Sequence, residues 1–108
     1  HNVGVTQFNT SQRSVSSGAI NNITTTVVKV SVFSSTTINT LNVSGGNVDG
    51  MMIIIINNSV SDVLTFSSAG GNIRTQNQST VELLEGAALA FIFDGRDNLW
   101  NLWQDWGA

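Results

Sequence analysis

Three tryptophans near the end of the sequence are the side chains best suited to binding another molecule. They are Trp100, Trp103 and Trp106, and each indole can bury about 150 Å² or more of surface. Such rings stack on sugars or anchor a chain on a neighbouring subunit, whereas packing in a core or between subunits is their simpler use. On a strand, Trp100 and Trp106 share one face and Trp103 lies on the other. On a helix, Leu99, Leu102, Trp103 and Trp106 form one stripe, so both arrangements stay open.

Carboxylates form the second group of residues with suggestive spacing. They are Glu82, Glu85, Asp94, Asp97 and Asp105. Glycoside hydrolysis needs two facing carboxylates, one of them with its pKa raised by burial, and Asp94 with Asp97 could offer oxygen ligands to Ca²⁺. Neither motif is complete, because Asp94 is better explained as a turn residue before Gly95 and the two glutamates as solvated flanks of a strand. We therefore expect no metal site here.

The sequence lacks the parts of a catalytic triad. Its only histidine is His1, at a chain position where mobility is usual, and it has no cysteine. It contains neither a G-x-S-x-G string nor a P-loop. Without a thiol or a second imidazole, a serine nucleophile has no ordinary base. We therefore expect a protein that is not an enzyme, uses no cofactor and acts by binding.

The composition is neutral and polar rather than ionic. Only 10% of the 108 residues are charged and 41% are hydrophobic, against about 25% charged in typical soluble domains. A surface with few charges opposes association weakly, so we expect a homo-oligomer. The formal net charge of −3, with four cationic residues, provides no basic stripe for nucleic acid. The apolar run at 51–56 is far shorter than the ~20 residues of a membrane helix, so membrane insertion is not expected.

Apolar and turn residues alternate in a way that predicts short β-strands. Strand-like segments recur about every 8 to 12 residues between turns rich in Gly and Asn, at 25–33, 36–43, 51–56, 63–66, 80–84 and 88–93. Asp94-Gly95 then supplies the φ > 0 positions of a hairpin turn, and residues 99–103 return alongside. The pattern predicts an all-β fold, a β-sandwich or jelly-roll-like domain. We expect one β domain over 19–108 and an N-terminal arm or edge strand over 1–18.

A short internal repeat favours an alternative within the all-β class. The string Gly-Gly-Asn, followed by Val or Ile, occurs at 45–48 and again at 70–73. The 25-residue spacing between the two strings is the length of one turn of a β-solenoid, although a solenoid usually has at least three repeats. A short β-solenoid is therefore the alternative fold.

Two predicted strands, 51–56 and 88–93, are apolar on both faces. In a domain this small, such strands require burial on both sides. A second sheet covers one side, and partner chains are expected to cover the other. The side chains expected at a binding surface or subunit interface are Trp100, Trp103, Trp106, Phe91 and Phe93.

An ordered series of strings runs through most of the chain. It consists of T-T-I-N-T-L (36–41), G-G-N-V-D-G-M-M-I-I-I-I (45–56), G-G-N-I (70–73), V-E-L-L-E-G (81–86) and F-I-F-D-G-R-D-N-L-W (91–100). Between about residues 25 and 106, the chain resembles the small β-structured domains of bacteriophage fibre, tail-tip and head-decoration proteins. These strings are turn and strand signatures, and none is a catalytic fingerprint.

The resemblance implies a structural protein on the surface of the virion, as a fibre tip or a capsid decoration. Domains of this kind are commonly homotrimers that bind other virion proteins or a glycan or receptor on the host surface. A free-standing carbohydrate-binding module is the alternative, and it predicts a monomer with a flat aromatic platform. A polysaccharide-cleaving tip is a third possibility, and it requires a carboxylate pair across a groove.

Overall fold

Eleven short strands, and no helix, form in the part of the chain that the computed structural model describes, residues 8–15, 18–76 and 79–106. Within 104–106 only the backbone is described. The strands are β1 (Thr10–Ser14), β2 (Ala19–Ile23), β3 (Val27–Ser31), β4 (Thr36–Ile38), β5 (Thr40–Val43), β6 (Met52–Asn57), β7 (Leu64–Ser67), β8 (Ile73–Arg74), β9 (Thr80–Leu83), β10 (Ala88–Asp94) and β11 (Leu99–Trp106). The all-β, sandwich-like fold class is confirmed. None of the described segments is a helix long and apolar enough to cross a bilayer.

The strands form three sheets around one core. The main sheet has the order β1-β3-β6-β10-β11-β8, the second sheet pairs β2 with β5, and the third has the order β4-β7-β9. Within them β1, β3 and β6 are mutually parallel, as are β2 with β5 and β4 with β7. The chain therefore winds in successive coils up to β7, which is the connectivity of the solenoid alternative. The winding then ends in antiparallel pairs. β9 runs antiparallel to β7, β10 runs antiparallel to β6, and β11 runs antiparallel to β10.

Alternate residues of the central strands enter the core, as the two-residue period of a strand requires. In β3 these are Val28 and Val30, and in β6 they are Ile53 and Ile55. Two aromatic pairs fill the space towards β10, with ring centroids 5.3 Å apart for Phe66 and Phe91 and 5.0 Å apart for Phe93 and Trp100. Both separations lie in the range of favourable tilted pairs.

The predicted hairpin of β10 and β11 is present, but its turn differs from the prediction. The positive φ of this turn belongs to Asn98, at 57°, and Asp94 and Gly95 are not the left-handed pair. Gly95 is needed for space instead, because a Cβ there would lie 2.9 Å from Cβ of Asp49. The Asp49 carboxylate accepts a hydrogen bond of 2.8 Å from the Gly95 N–H. The loop is thus fixed by a distant residue, which a local turn rule does not include.

The single strand predicted at 36–43 is two strands in different sheets. The break lies at Asn39, whose N–H donates to the carbonyl of Gly18 at 2.8 Å. Its side-chain amide donates to the carbonyl of Ala69 at 3.1 Å. These bonds join Asn39 to the coils on either side, so the chain turns a corner at a position that strand periodicity does not mark.

Candidate interaction face

The main sheet has one face in the core and one face turned outward. By the two-residue alternation of a strand, the outward side chains of β3, β6 and β10 include seven apolar residues. We name this set the outer apolar face, and its members are Val27, Met52, Ile54, Ile56, Ala88, Ala90 and Ile92.

Strand pairing joins these residues into continuous rows. Val27 pairs with Ile54 and Ile54 pairs with Ala90, so one apolar row crosses three strands. In the next row, Ile56 stands between Lys29 and Ala88. Cross-strand neighbours of this kind lie about 4.5–5.5 Å apart, so the apolar side chains form one contiguous surface.

This surface is the side of segments 51–56 and 88–93 that partner chains are expected to cover. The chain covers only their inner side, and Met52, Ile54, Ile56 and Ile92 are half-buried on the outer side. Ala90 is fully buried, yet it does not belong to the core cluster. Its small side chain is sheltered by larger neighbours on the outer face.

Trp103 stands at the border of the outer apolar face, because strand alternation places it on the side of β11 opposite to the buried Leu102. A β-bulge occurs at this point, since Ala90 pairs with Gln104 and Phe91 with Leu102, so the register passes over Trp103. Such an extra residue bends the strand and leaves the ladder locally unpaired. Leu102 stays in the core, whereas Trp103 is 53% exposed.

Three of the other residues expected at an interface do not lie at the surface. Trp100 and Phe91 have 0% exposure and Phe93 has 4%, so for these three the core-packing alternative replaces the interface expectation. The Trp100 indole N–H is satisfied internally by the carbonyl of Leu41, at 2.9 Å. The helical alternative is wrong, since β11 is extended from Leu99 to Trp106. The side chain of Trp106 lies outside the described residues.

The outward faces of the other two sheets are polar. In the second sheet, the Asn42 amide donates to Oδ1 of Asn21 at 2.8 Å, and the Asn72 amide to Oδ1 of Asn42 at 3.5 Å. In the third sheet, Thr65 stands between Thr37 and Glu82. The main sheet alone therefore presents an apolar outer side.

The carboxylates near the hairpin turn surround an arginine. The Arg74 guanidinium lies 3.3 Å from a carboxylate oxygen of Asp94 and 3.2 Å from one of Asp97. Its hydrogen bond, together with the nearby charge of Arg96, lowers the pKa of Asp97 below the usual 3.8. Asp94 also accepts the backbone N–H of Arg96 at 3.0 Å, as its interpretation as a turn residue predicts. Asp94 and Asp97 therefore form ion pairs with Arg74 of the same chain.

Sequence reasoning missed an open groove beside the outer apolar face. It has a volume of about 560 Å³ and is formed by the β2–β3 connection, the end of β5 and the start of β6. Its lining residues are Ile23, Thr24, Thr25, Thr26, Val43, Ser44, Met51, Met52 and Ile53. Three consecutive threonines were the available signal, but the opposite wall comes from another coil of the chain. A local pattern therefore could not predict the groove.

Comparison with known proteins assigns this face no partner. No protein-family model matches the chain, and no curated protein matches it significantly. The interpretation of the outer apolar face therefore depends on its residues and geometry.

Proposed function

We propose that this chain is a non-enzymatic structural protein of a bacteriophage virion. In this proposal it is a homotrimer on the particle surface, either a fibre tip or a capsid decoration. It binds other virion proteins or the host surface. The resemblance of its strand and turn strings to such domains supplies the setting, and the outer apolar face supplies the physical support.

The single observation that supports assembly best is the apolar outer side of β3, β6 and β10. β6 is six residues long, and three strand widths of that length cover roughly 300 Å². Removing this area from water contributes at most about 7 kcal/mol per chain, because its side chains are already half-buried. Association costs an estimated 4–15 kcal/mol in lost freedom. The face thus offsets a substantial part of that cost, and leaving it in water is unfavourable.

The polar sheets fit a surface role in the same proposal. The outward asparagines of the second sheet and threonines of the third sheet are uncharged, and their amides and hydroxyls form hydrogen bonds with water. Exposed amides and hydroxyls also match the hydrogen-bonding groups of a neutral glycan. With the main sheet turned inward in a trimer, these two sheets would face the host or the particle.

The oligomeric state of the purified chain tests the proposal. Light scattering is expected to give a mass three times the 11.5 kDa of one chain. Ile54→Lys places a charge in the centre of the outer apolar face and is expected to yield folded monomers. Thr65→Lys, on the outward side of the third sheet, is the matched control and should leave the trimer intact. A monomeric wild-type chain at high concentration would overturn the proposal.

A free-standing carbohydrate-binding module is the second candidate, because Trp103 offers an exposed indole. Such a module would bind sugar through Trp103 as a monomer. Trp103→Ala separates the two candidates. Loss of glycan binding with unchanged molecular mass favours the module, whereas a loss of assembly favours the virion trimer.

A further inference from the structure

The groove beside the outer apolar face has the chemistry of a site for an uncharged aromatic side chain. Each of its nine lining residues is neutral, and Ile23 and Ile53 reach it from the core. The Thr25 hydroxyl is already bonded, to the carbonyl of Val27 at 2.9 Å and to the Ser11 hydroxyl at 2.7 Å. Two methionines complete the wall, and thioether sulfur makes favourable contacts with aromatic rings.

The groove and the outer apolar face form one surface. Met52 belongs to both, since it lines the groove and pairs across the sheet with Ile92. The flat face alone, at roughly 300 Å², is less than half of the 800 Å² per partner that a standard stable interface buries. A trimer contact therefore has to extend beyond the face, and the groove, with its uncharged lining, is continuous with it.

Trp103 is an exposed aromatic residue on the same side of the main sheet. It lies on β11, two strands from the β6 wall of the groove in the order β6-β10-β11. Two strand spacings are about 10 Å, and the indole is 53% exposed, so it does not fill the groove of its own chain. One chain thus presents a projection and a groove at different places on one face.

We propose that Trp103 of each chain inserts into the groove of a second copy, between the residues at 24–26 and Met51 and Met52. This inference rests on the trimer of the proposed function and specifies its contact. A projection and a groove at different places make a head-to-tail contact, which closes into a ring when the rotation permits. Each chain in the ring gives one indole and receives one.

Cysteine cross-linking tests the contact directly, because the chain contains no cysteine of its own. A variant with Trp103→Cys and Thr24→Cys carries one thiol at the projection and one at the groove rim. Oxidation is expected to join three chains covalently, which appears as a trimer band on a denaturing gel without reductant. Either single variant can form dimers at most. Trp103→Cys with Thr65→Cys, the latter on the third sheet, is the control and should give no covalent trimer.

The cross-linking variant lacks the Trp103 indole, and this loss by itself weakens the proposed contact. A double-mutant cycle therefore tests the same contact without cysteines. Trp103→Ala and Thr24→Arg are each expected to raise the trimer dissociation constant at least 10-fold. Because both remove the same contact, the double variant should be no weaker than the worse single variant. Thr65→Arg controls for the added charge and should have no effect.

The outcomes separate this inference from the proposed function. A wild-type chain that is monomeric by light scattering contradicts the trimer and the contact together. A wild-type trimer that gives no covalent trimer from the cysteine pair, with additive effects in the cycle, contradicts the groove contact alone.

Discussion

The chain contains Gly-Gly-Asn twice, and the two copies use their glycines for different reasons. In the first copy, Gly45 and Gly46 have φ of 86° and 110°, and no described atom would lie within 4 Å of a Cβ on either. In the second copy, Gly70 also has a positive φ, 78°, but a Cβ on Gly71 would lie 1.8 Å from the carbonyl oxygen of Asn39. Gly45, Gly46 and Gly70 thus supply backbone conformation, and Gly71 supplies space.

The asparagines of the two copies act on the same strand. Asn47 accepts from the N–H of Val43 at 2.8 Å, and Asn72 accepts from the N–H of Leu41 at 2.9 Å. Both amides also donate to the carbonyl of Leu41, at 3.3 Å and 2.9 Å. The repeat therefore provides side chains that complete the hydrogen bonds of β5.

After the asparagine, the two copies diverge and meet again at one hairpin turn. Val48 is 57% exposed, whereas Ile73 is 2% exposed in the core. Asp49 accepts the N–H of Gly95, and Arg74 pairs with Asp94 and Asp97 in the same β10–β11 connection. Identical strings can thus meet different requirements, because the neighbouring coils decide which atoms approach them.

The largest effect is expected from adding a methyl group to the second copy. Gly71→Ala forces a carbon into the Asn39 carbonyl, so the backbone between two coils must move. We expect the free energy of unfolding to fall by about 3 kcal/mol or more, which lowers the Tm by at least about 12 °C. Thermal unfolding followed by circular dichroism measures the loss.

Gly45→Ala is the contrasting substitution in the first copy, at a glycine that needs its conformation but not space. Here a Cβ meets open space, and only the positive φ of 86° is unfavourable, at about 1–2 kcal/mol. If Gly45→Ala destabilised the chain more than Gly71→Ala, space would not be the requirement at Gly71.

A smaller difference is expected between the two asparagines. Asn72→Ala leaves the N–H of the fully buried Leu41 without its acceptor, and we expect a loss of about 2 kcal/mol. Asn47→Ala affects the half-buried Val43, where water replaces the bond more readily, so about 1 kcal/mol is expected. Urea unfolding of both variants measures the difference. Equal losses would mean that the two side chains support β5 to the same extent.

The sequence predicts the elements of this fold better than the contacts between them. The strands and the β10–β11 hairpin follow from residue type and alternation, which are local signals. Two features do not follow from local signals. The strand break at Asn39 is fixed by a carbonyl of another coil. The loop that contains Asn98, with its positive φ, is constrained by Asp49. The same limit explains why two identical Gly-Gly-Asn strings cannot be told apart by reading them.

The candidate site was predictable to a similar extent. Consecutive isoleucines indicate that β6 has two apolar faces, and strand alternation places Trp100 and Trp103 on opposite sides. Which of the two tryptophans lies in the core follows from the pairing of β11 with β10, which sets Trp100 opposite the buried Phe93. The groove requires two connections far apart in sequence, so it has no signature of its own.

The smallest effect is expected where the second copy reaches the hairpin turn through charge. The pKa of Asp97 is lowered in the folded chain by the hydrogen bond from Arg74 and the charge of Arg96. A lowered pKa means that Asp97 stabilises the fold above its usual value of 3.8, and that this contribution is lost as the pH falls through the folded value. Asp97→Asn should therefore lower the Tm slightly at pH 5, and the difference from the wild type should vanish towards pH 2.

The first copy provides the contrast for this measurement. Asp49→Asn keeps a side-chain oxygen that can accept the N–H of Gly95, so its effect at pH 5 should be insensitive to salt. The effect of Asp97→Asn should shrink in about 1 M NaCl, because exposed ion pairs are screened over about 3 Å at that concentration. A Tm difference for Asp97→Asn that persists at pH 2 and in high salt would show that its side chain acts through shape rather than charge. The two copies would then hold the turn in the same way.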